Sequence, residues 1–329
     1  MIPSTMQAAL LYGIADLRVE TVPVPEPAPN EVLVRVEACG ICPTDARKYS
    51  IGVNDGDYPF NPGHEWVGRV VKAGGRVDGP APGELVYGDT YAGYAEYATI
   101  AARPEGMSRG ALPLGDLPLD RAVFVEPLAD CLHAVHDQAR VSEGDRIAVI
   151  GAGAMGLQMT AAAARAGARV LVVEPRDDRR ALAERLGADL AVGADDWPEA
   201  ALDLGGGGAP TAIIVTLGRG DVVADAVRAC APGGRVVLFA GFGDDGDAVI
   251  DLNRLHYDEI SLVGSEWVGV PPHQRLERYD QARELLVAGE LRLEELVSNH
   301  VGLGGVEEAL RAVRLQRSLK TIVNPGGPA

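Results

Sequence analysis

The chain has 329 residues, enough for two domains, and its composition of 47% hydrophobic and 23% charged residues is typical of a soluble globular protein. A net charge of −17 argues against a nucleic-acid partner, and without an apolar run of about 18 residues no membrane span is expected. The N-terminal residues lack the basic and apolar segments of a secretion signal. Four cysteines cannot form a dense disulfide framework, so we expect reduced thiols in a cytoplasmic protein.

The first 120 residues or so are predicted to form an all-β region. They are rich in Val, Pro, Gly and Tyr, and residues 31–38 (EVLVRVEA) alternate apolar and other side chains, as a half-buried strand does. Short apolar runs separated by glycine continue this pattern in residues 65–75 and 83–100.

The pattern changes near residue 121, because apolar runs then alternate with Ala-rich helical stretches as far as about residue 265. These runs show little alternation, which is typical of strands in a parallel sheet that is covered on both faces. Residues 266–329 contain two predicted helices and a final strand, residues 320–323 (KTIV). The sequence therefore predicts an α/β plus β fold.

A glycine-rich turn with the pattern G-x-G-x-x-G contains Gly151, Gly153 and Gly156. It follows a predicted strand (RIAVI) and begins a predicted helix, which is the context that dinucleotide binding needs. The first glycine permits a tight turn, the second lets the backbone approach a pyrophosphate, and the third lets helix and strand pack closely. The helix N-terminus, with Ala154 and Met155, offers free N–H groups to the phosphates.

Glu174 ends the next predicted strand, 23 positions after Gly151. A carboxylate at this place accepts hydrogen bonds from a ribose diol and repels a 2′-phosphate, which favours NAD over NADP. Arg176 follows closely and weakens that preference.

Cys39 and Cys42 form a C-x-x-C pair after a predicted strand. A closed structural zinc site would need a second pair or two nearby histidines, and a redox pair would begin a helix in a thioredoxin-like unit, so neither is favoured. An open catalytic zinc takes three protein ligands. Three such ligands would be a thiolate of this pair, the imidazole of His64 and the carboxylate of Glu126. Glu126 is a candidate because it stands where a cleft between the two domains is expected. The alternative is that His64 and Glu65 are a satisfied polar pair at the start of a strand.

Four motifs together resemble the zinc-dependent medium-chain alcohol dehydrogenases. They are GICPTD (40–45), PGHEWVG (62–68), VEPL (125–128) and the glycine turn after its strand, and their order and spacing match across nearly the whole chain. The glutamate of VEPL resembles the polyol and sugar dehydrogenase branch of that family, in which Glu takes the place of the third ligand.

This resemblance implies a catalytic GroES-like β-barrel domain over residues 1–125 and 266–329, and a doubly wound Rossmann domain over residues 126–265. It implies an NAD-dependent enzyme that transfers hydride between the cofactor and a secondary alcohol or ketone of a polyol, sugar, cyclitol or aminocyclitol. Zinc in such an enzyme lowers the pKa of the substrate hydroxyl.

The resemblance also implies roles for single residues. Cys42 is the zinc thiolate, His64 is the second ligand, and the third ligand is Glu126 or Glu65. Asp45 is expected to orient the His64 ring, as the outer partners of metal ligands do.

Thr44 is expected to take the hydroxyl proton and pass it to the nicotinamide ribose. A histidine often stands three residues later in the family, but this chain has Arg47, which cannot deprotonate in a protein. Arg47 is expected to bind a cofactor phosphate, to bind a polar substrate or to be an ordinary surface residue. The path by which the proton leaves the site stays open among these alternatives.

Many relatives bind a structural zinc in a lobe with four closely spaced cysteines. Residues 83–101 contain none, so the sequence predicts one catalytic zinc per chain and no structural zinc. The resemblance implies a homodimer or homotetramer that pairs edge strands, with residues 260–265 (ISLVGS) as the candidate edge.

Aromatic faces beside charged groups suit a hydroxyl-rich substrate. The candidate pocket residues are Tyr49, Trp66, Tyr91 and Trp267.

Two further functions stay open. A zinc-free NAD(P)H quinone or enoyl reductase of the same fold would leave Cys42, His64 and Glu126 without a purpose. A non-catalytic NAD(H)-binding redox sensor would combine an intact glycine turn with a ruined metal site, whereas here the metal-ligating residue types are all present.

Overall fold

The computed structural model describes residues 1–54, 57–103, 110–202, 204, 207–242, 246–267 and 269–327, and the chain divides into two compact units. Unit 1 comprises Met1–Glu126 and Pro271–Ala329, and unit 2 comprises Pro127–Val270. None of the helices in these described ranges combines the length and the apolar character that crossing a membrane requires.

Both units contain strands and helices. In chain order, the strands of the described residues are β1 (Thr5–Gly13), β2 (Asp16–Pro23), β3 (Glu31–Gly40), β4 (Glu65–Ala73), β5 (Leu85–Gly88), β6 (Tyr97–Ala101), β7 (Leu112–Pro113), β8 (Arg146–Ile150), β9 (Arg169–Val173), β10 (Leu190–Val192), β11 (Ala212–Val215), β12 (Arg235–Leu238), β13 (Ser261–Gly264), β14 (Val297–Val301) and β15 (Lys320–Val323). The α-helices are α1 (Pro43–Ile51), α2 (Leu119–Ala122), α3 (Val125–Leu132), α4 (Ala154–Arg165), α5 (Asp177–Arg185), α6 (Trp197–Leu202), α7 (Gly220–Ala229), α8 (Leu252–Tyr257), α9 (Pro272–Ala288) and α10 (Val306–Arg314).

Unit 2 contains the parallel sheet that the sequence predicts. Its strand order is β10-β9-β8-β11-β12-β13, and every neighbouring pair is parallel. The central strands are buried along almost their whole length because their side chains are apolar on both faces. The chain reverses its direction of winding between β9 and β11, on either side of β8, and the glycine turn follows β8 at this switch point. Strand β13, predicted as an edge, lies at the end of this sheet order.

Unit 1 is built on an antiparallel core of strands. A seven-stranded sheet has the order β14-β15-β3-β4-β5-β7, with β6 also paired to β3. The β1–β2 hairpin joins it through isolated bridges at Ala8–Ala95 and Leu11–Phe60. Strand β3 is hydrogen-bonded to β4 and to β15, so the end of β3 lies between the start of β4 and the C-terminal part of the chain.

The prediction that the first 120 residues are all-β is wrong for one segment. Residues that follow Cys42 form α1, with Cys42 as the N-cap, proline at the first helical position and Asp45 completing a capping box with the N-cap backbone. Proline at this position is compatible with a helix start because its missing N–H needs no partner there, and an acidic residue in the first turn complements the helix dipole. These local signals outweigh the β-rich composition around them.

Candidate metal centre and dinucleotide loop

Three residues of unit 1 form a group that we call the metal cluster: Cys42, His64 and Glu65. Each offers one ligand atom, and the three atoms lie within 4.8 Å of one another. Cys42 caps α1, His64 directly precedes β4, and Glu65 is the first residue of β4. Thiolate, imidazole and carboxylate are the ligand types that Zn²⁺ binds in proteins, so the donor set fits a zinc ion.

The carboxylate of Asp45, the residue expected to orient His64, lies against the His64 ring. This carboxylate is completely buried and lies 3.2 Å from His64 Nδ1, and it accepts further hydrogen bonds from the Gly63 N–H and the Tyr94 hydroxyl, both at 3.1 Å. Because Nδ1 faces Asp45, Nε2 is the ring nitrogen available to a metal.

The charges of the cluster depend on one another. Burial by itself lowers the pKa of His64, but Asp45 and Cys42 raise it, and the net pKa is well above the usual value. Burial raises the pKa of the Cys42 thiol, and it would do the same to Asp45, whose pKa is nevertheless lowered by His64. A proton on His64 therefore balances the buried Asp45 carboxylate, and a divalent cation bound by the same groups would supply positive charge instead and favour the thiolate form of Cys42.

Glu65 forms a buried ion pair with Lys320, a residue to which sequence reasoning gave no role. Lys320 Nζ donates to Glu65 Oε2 at 2.5 Å, and both side chains are 1% exposed. Burial by itself lowers the pKa of Lys320, but Glu65, Cys42 and Glu126 together outweigh it and the net pKa is raised. A side chain at Gly40 would place Cβ 2.3 Å from Glu65 Oε2, so this glycine makes room for the carboxylate. The signal in the sequence was a lysine at the start of a short apolar strand.

Glu126, the other predicted candidate for third ligand, lies in the first turn of α3 and is partly buried. It acts electrostatically on Tyr87, whose hydroxyl donates to the His64 carbonyl at 3.2 Å, and also on Tyr91 and Lys320. It therefore lies on the side of unit 1 that carries the metal cluster, although it is not one of the three residues within 4.8 Å. The choice between Glu65 and Glu126 stays a prediction.

Two of the predicted pocket residues in unit 1 are core residues instead. Trp66 is fully buried and its indole N–H donates to the Thr90 carbonyl at 2.7 Å. Tyr49 is 5% exposed and its hydroxyl donates to Glu307 at 2.6 Å. A side chain that is buried and already bonded cannot line a solvent-filled pocket.

The other two aromatic candidates differ in their exposure. Tyr91 is 38% exposed, and its ring centre lies 5.1 Å from that of His64. Trp267, in unit 2, is buried, stacks on His133 with ring centres 4.6 Å apart, and donates its indole N–H to Asp130. Trp267 is thus committed to packing within unit 2, whereas Tyr91 borders the metal cluster.

Thr44 and Arg47 are both exposed on α1, close in sequence to Cys42. Their predicted roles need an exposed position beside a bound cofactor, and the structure leaves both side chains exposed.

The glycine loop, residues 151–156, joins β8 to α4 in unit 2. Gly151 has φ +105°, which favours glycine, and a Cβ at Gly156 would lie 1.9 Å from the Gly151 carbonyl oxygen. Gly153 is the N-cap of α4 without a side-chain cap, and a Cβ built there meets no atom within 4 Å. The loop therefore offers free N–H groups and open space at its second glycine, which fits the pyrophosphate of a dinucleotide.

Glu174 lies against this loop, directly after β9. It is 5% exposed; its Oε2 accepts a hydrogen bond from the Ala152 N–H at 2.9 Å and its Oε1 accepts one from the Arg176 N–H at 3.1 Å. The Arg176 guanidinium forms an ion pair with Asp178 at 2.7 Å. The carboxylate is therefore fixed beside the loop, while the nearby guanidinium is paired with an acidic residue.

Comparisons with known proteins agree with this geometry. Residues 28–113 match the alcohol dehydrogenase GroES-like domain, and residues 154–287 match the zinc-binding dehydrogenase model. The chain is 28% identical to the erythritol/L-threitol dehydrogenase of Mycolicibacterium smegmatis, with 95% of each protein covered. It is 31% identical to a probable alcohol dehydrogenase of Mycobacterium tuberculosis, with 95% of this chain and 96% of the relative covered.

A solved structure shows the same fold. A Sinorhizobium meliloti 1021 protein, provisionally described as a zinc-binding dehydrogenase and bound to NADP, superimposes with a TM-score of 0.86 at 26% identity, covering 98% of this chain and 100% of the other. The predicted combination of a GroES-like sheet domain and a Rossmann domain is confirmed.

Proposed function

Because this chain belongs to the zinc-dependent medium-chain alcohol dehydrogenases, in the branch of the polyol dehydrogenases, we propose that it oxidises a secondary alcohol of a polyol or sugar with NAD⁺ and reduces the matching ketone with NADH. The observation that carries the proposal is the metal cluster of Cys42, His64 and Glu65 within 4.8 Å, in a chain that also has an open glycine loop. The alternative of a zinc-free reductase gives these three residues no task.

Cys42 and His64 would hold the zinc ion, with Glu65 or Glu126 as the third protein ligand. When bound, zinc supplies Lewis acidity that polarises the alcohol oxygen. Asp45 keeps the His64 ring in place, and the Lys320 ammonium balances the charge of the buried Glu65 carboxylate. We propose one zinc per chain, since residues 83–101 contain no cysteine for a second site.

Thr44 is the residue that we propose as acceptor of the substrate proton, at Oγ1. It is exposed on the first turn of α1, two positions after Cys42, whereas Arg47 keeps its charge and cannot take part in proton transfer. From Oγ1 the proton would pass to solvent, or to a ribose hydroxyl if a bound cofactor supplied one there.

NAD is the cofactor that we propose, in preference to NADP. Glu174 is fixed beside the glycine loop by the Ala152 N–H, where its negative charge disfavours a 2′-phosphate, and Arg176 is paired with Asp178. The S. meliloti relative was bound to NADP, so this preference is a property to be tested for this chain. We also propose a homo-oligomer that pairs β13, the last strand of the unit 2 sheet order.

The test is a panel of polyols, sugars and cyclitols with the purified protein, in which NADH or NADPH formation is followed by absorbance and zinc is measured by elemental analysis. We expect zinc near one per chain, turnover of at least one secondary alcohol, and a higher kcat/KM with NAD⁺ than with NADP⁺. Turnover of quinones or enoyl compounds by a zinc-free protein would support the reductase instead. Bound zinc and NADH without turnover of any alcohol would support a redox sensor.

A further inference from the structure

Lysine is rare in this chain, and the lysines differ in their partners. Among 30 Lys and Arg residues, three are lysines: Lys48, Lys72 and Lys320. Lys320 is bonded to Glu65 beside the metal cluster, and Lys72 forms an exposed ion pair with Glu26. The third, Lys48, is therefore the lysine whose task is unexplained.

Lys48 rests on two aromatic rings rather than on a carboxylate. Its ammonium lies 5.0 Å from the centre of the Tyr91 ring and 5.3 Å from that of Phe60, and it forms no ion pair with any residue in the described ranges. The two rings pack edge to face with centres 4.9 Å apart. Aromatic faces attract an ammonium through the negative charge of the ring face, and they leave its charge unneutralised.

The Tyr91 ring connects this ammonium to the metal cluster. The same ring lies 5.1 Å from the His64 ring, and it is 38% exposed. On α1, Lys48 follows Asp45 by three positions, so the two side chains share a face of the helix, and Asp45 is the residue that holds His64. The Lys48 ammonium is therefore one helical turn from the carboxylate that positions His64, and the Tyr91 ring lies against both Lys48 and His64.

The segments that carry these two rings are held by hydrogen bonds to neighbouring parts of unit 1. Phe60 exchanges two bonds with Leu11 of β1, at 2.7 and 2.9 Å. The segment that carries Tyr91 is held on one side by the bond from Trp66 to the Thr90 carbonyl, and on the other by the bond from the Gly93 N–H to Gly63 at 2.9 Å. A site that positions a ligand needs supports of this kind, because a mobile charge loses specificity.

We propose that Lys48, supported by Phe60 and Tyr91, binds an anionic oxygen of the substrate, so that the alcohol is a polyol or sugar carrying a phosphate ester or a carboxylate. An ammonium without a carboxylate partner forms its strongest hydrogen bonds with anionic oxygens. A protein with a net charge of −17 repels anions over most of its surface, so an anionic substrate needs a local cation beside the reacting group. This inference rests on the proposed function and names its substrate class.

The binding test uses the full-length protein without nicotinamide cofactor, so that no turnover occurs. Calorimetric titrations compare sorbitol 6-phosphate, gluconate and neutral sorbitol. We expect at least one anionic compound to bind roughly tenfold to a hundredfold more tightly than sorbitol, and the stronger of the two distinguishes phosphate from carboxylate.

Matched variants assign that preference to one side chain. We expect Lys48→Met to abolish the preference for the anionic compound and Lys48→Arg to keep most of it, because arginine retains the charge. Lys72→Met, which removes a positive charge from an exposed pair elsewhere in unit 1, is expected to keep the preference. Equal binding of all three compounds, no binding of either anion, or an unchanged preference in Lys48→Met would overturn the inference.

The same compounds with NAD⁺ separate this inference from the proposed function. Anion binding that depends on Lys48 without NADH formation from any alcohol would leave the inference standing and overturn the proposed function. NADH formation with no preference that depends on Lys48 would do the reverse.

Discussion

The metal cluster of unit 1 and the glycine loop of unit 2 are assembled from the chain in different ways. The cluster gathers polar side chains from separate stretches, and each of the groups around it has a protein partner: Asp45 with His64, and Glu65 with Lys320. The loop takes six consecutive residues and contributes mainly backbone N–H groups and the absence of side chains. Changes in the cluster should therefore affect metal binding and stability together, whereas a change at the open glycine should affect cofactor binding alone.

The largest effect that we predict tests the cluster as a metal site. Cys42→Ala removes the proposed thiolate ligand, and because a Lewis-acid metal contributes several kcal/mol to catalysis, kcat/KM should fall by roughly 10³-fold or more. Zinc per chain, measured by elemental analysis after desalting, should fall in parallel.

Cys39→Ala is the matched control for that prediction, because Cys39 belongs to the same C-x-x-C pair but is fully buried and outside the metal cluster. It should keep its zinc. Equal zinc loss in both variants would contradict the assignment of Cys42 as a zinc ligand and of Cys39 as a core residue.

The second prediction concerns stability. Lys320→Met leaves the Glu65 charge buried without its partner, and breaking a buried pair in this way costs about 3–5 kcal/mol. The free energy of unfolding for unit 1, obtained from denaturant titrations of the full chain, should fall by that amount. Adding Glu65→Gln should restore part of the loss, because the unpaired charge is then gone.

Lys72→Met provides the comparison for Lys320→Met. Its ion pair with Glu26 is exposed, so the change in unfolding free energy should stay within about 0.5 kcal/mol. A small effect of Lys320→Met, similar to that of Lys72→Met, would mean that the buried pair does not couple the cluster to stability.

The third prediction separates orientation from ligation. Asp45→Asn keeps the size of the side chain but removes the charge that holds His64, and zinc affinity should fall by about 10- to 100-fold. Competition with a chromogenic chelator measures it. A loss as complete as that of Cys42→Ala would contradict the orienting role and make Asp45 a ligand itself.

The smallest effect is expected at the glycine loop. Gly153→Ala adds a methyl group into space that is open in the structure, so the free energy of unfolding should hardly change, whereas NADH binding, followed by fluorescence titration, should weaken by about tenfold.

Gly156→Ala should behave differently, because the added Cβ would lie 1.9 Å from the Gly151 carbonyl oxygen. It should lower both stability and NADH affinity. Equal destabilisation by the two variants would contradict the distinction between the open position at Gly153 and the packed position at Gly156.

How far the sequence could predict these features depended on the distance between their parts. The glycine loop is contiguous, and its strand, turn and helix follow in the predicted order. Helix α1 was missed because its start signals, Pro43 and Asp45, are local and stand within a β-rich composition. The role of Lys320 was missed because its partner Glu65 is 255 positions away, and only the pairing of β15 with β3 and of β3 with β4 brings the two together.

The burial of individual aromatic residues could not be predicted from the sequence either. Trp66 and Tyr91 both stand near charged residues in glycine-rich stretches, yet one is fully buried and the other is 38% exposed. The difference comes from strand pairing: Trp66 lies within β4, opposite Cys39 on β3, whereas Tyr91 lies in the connection after β5. Composition cannot distinguish these two positions.

The position of Lys320 in chain order has a consequence for biosynthesis. A ribosome adds roughly 5–20 residues per second, so Lys320, 255 positions after Glu65, is added on the order of ten to fifty seconds later. All of unit 2 is made within that interval. The nascent chain therefore has every strand of the unit 2 sheet before the ammonium that neutralises Glu65 exists, and the second domain to begin translation is the first whose strands are complete.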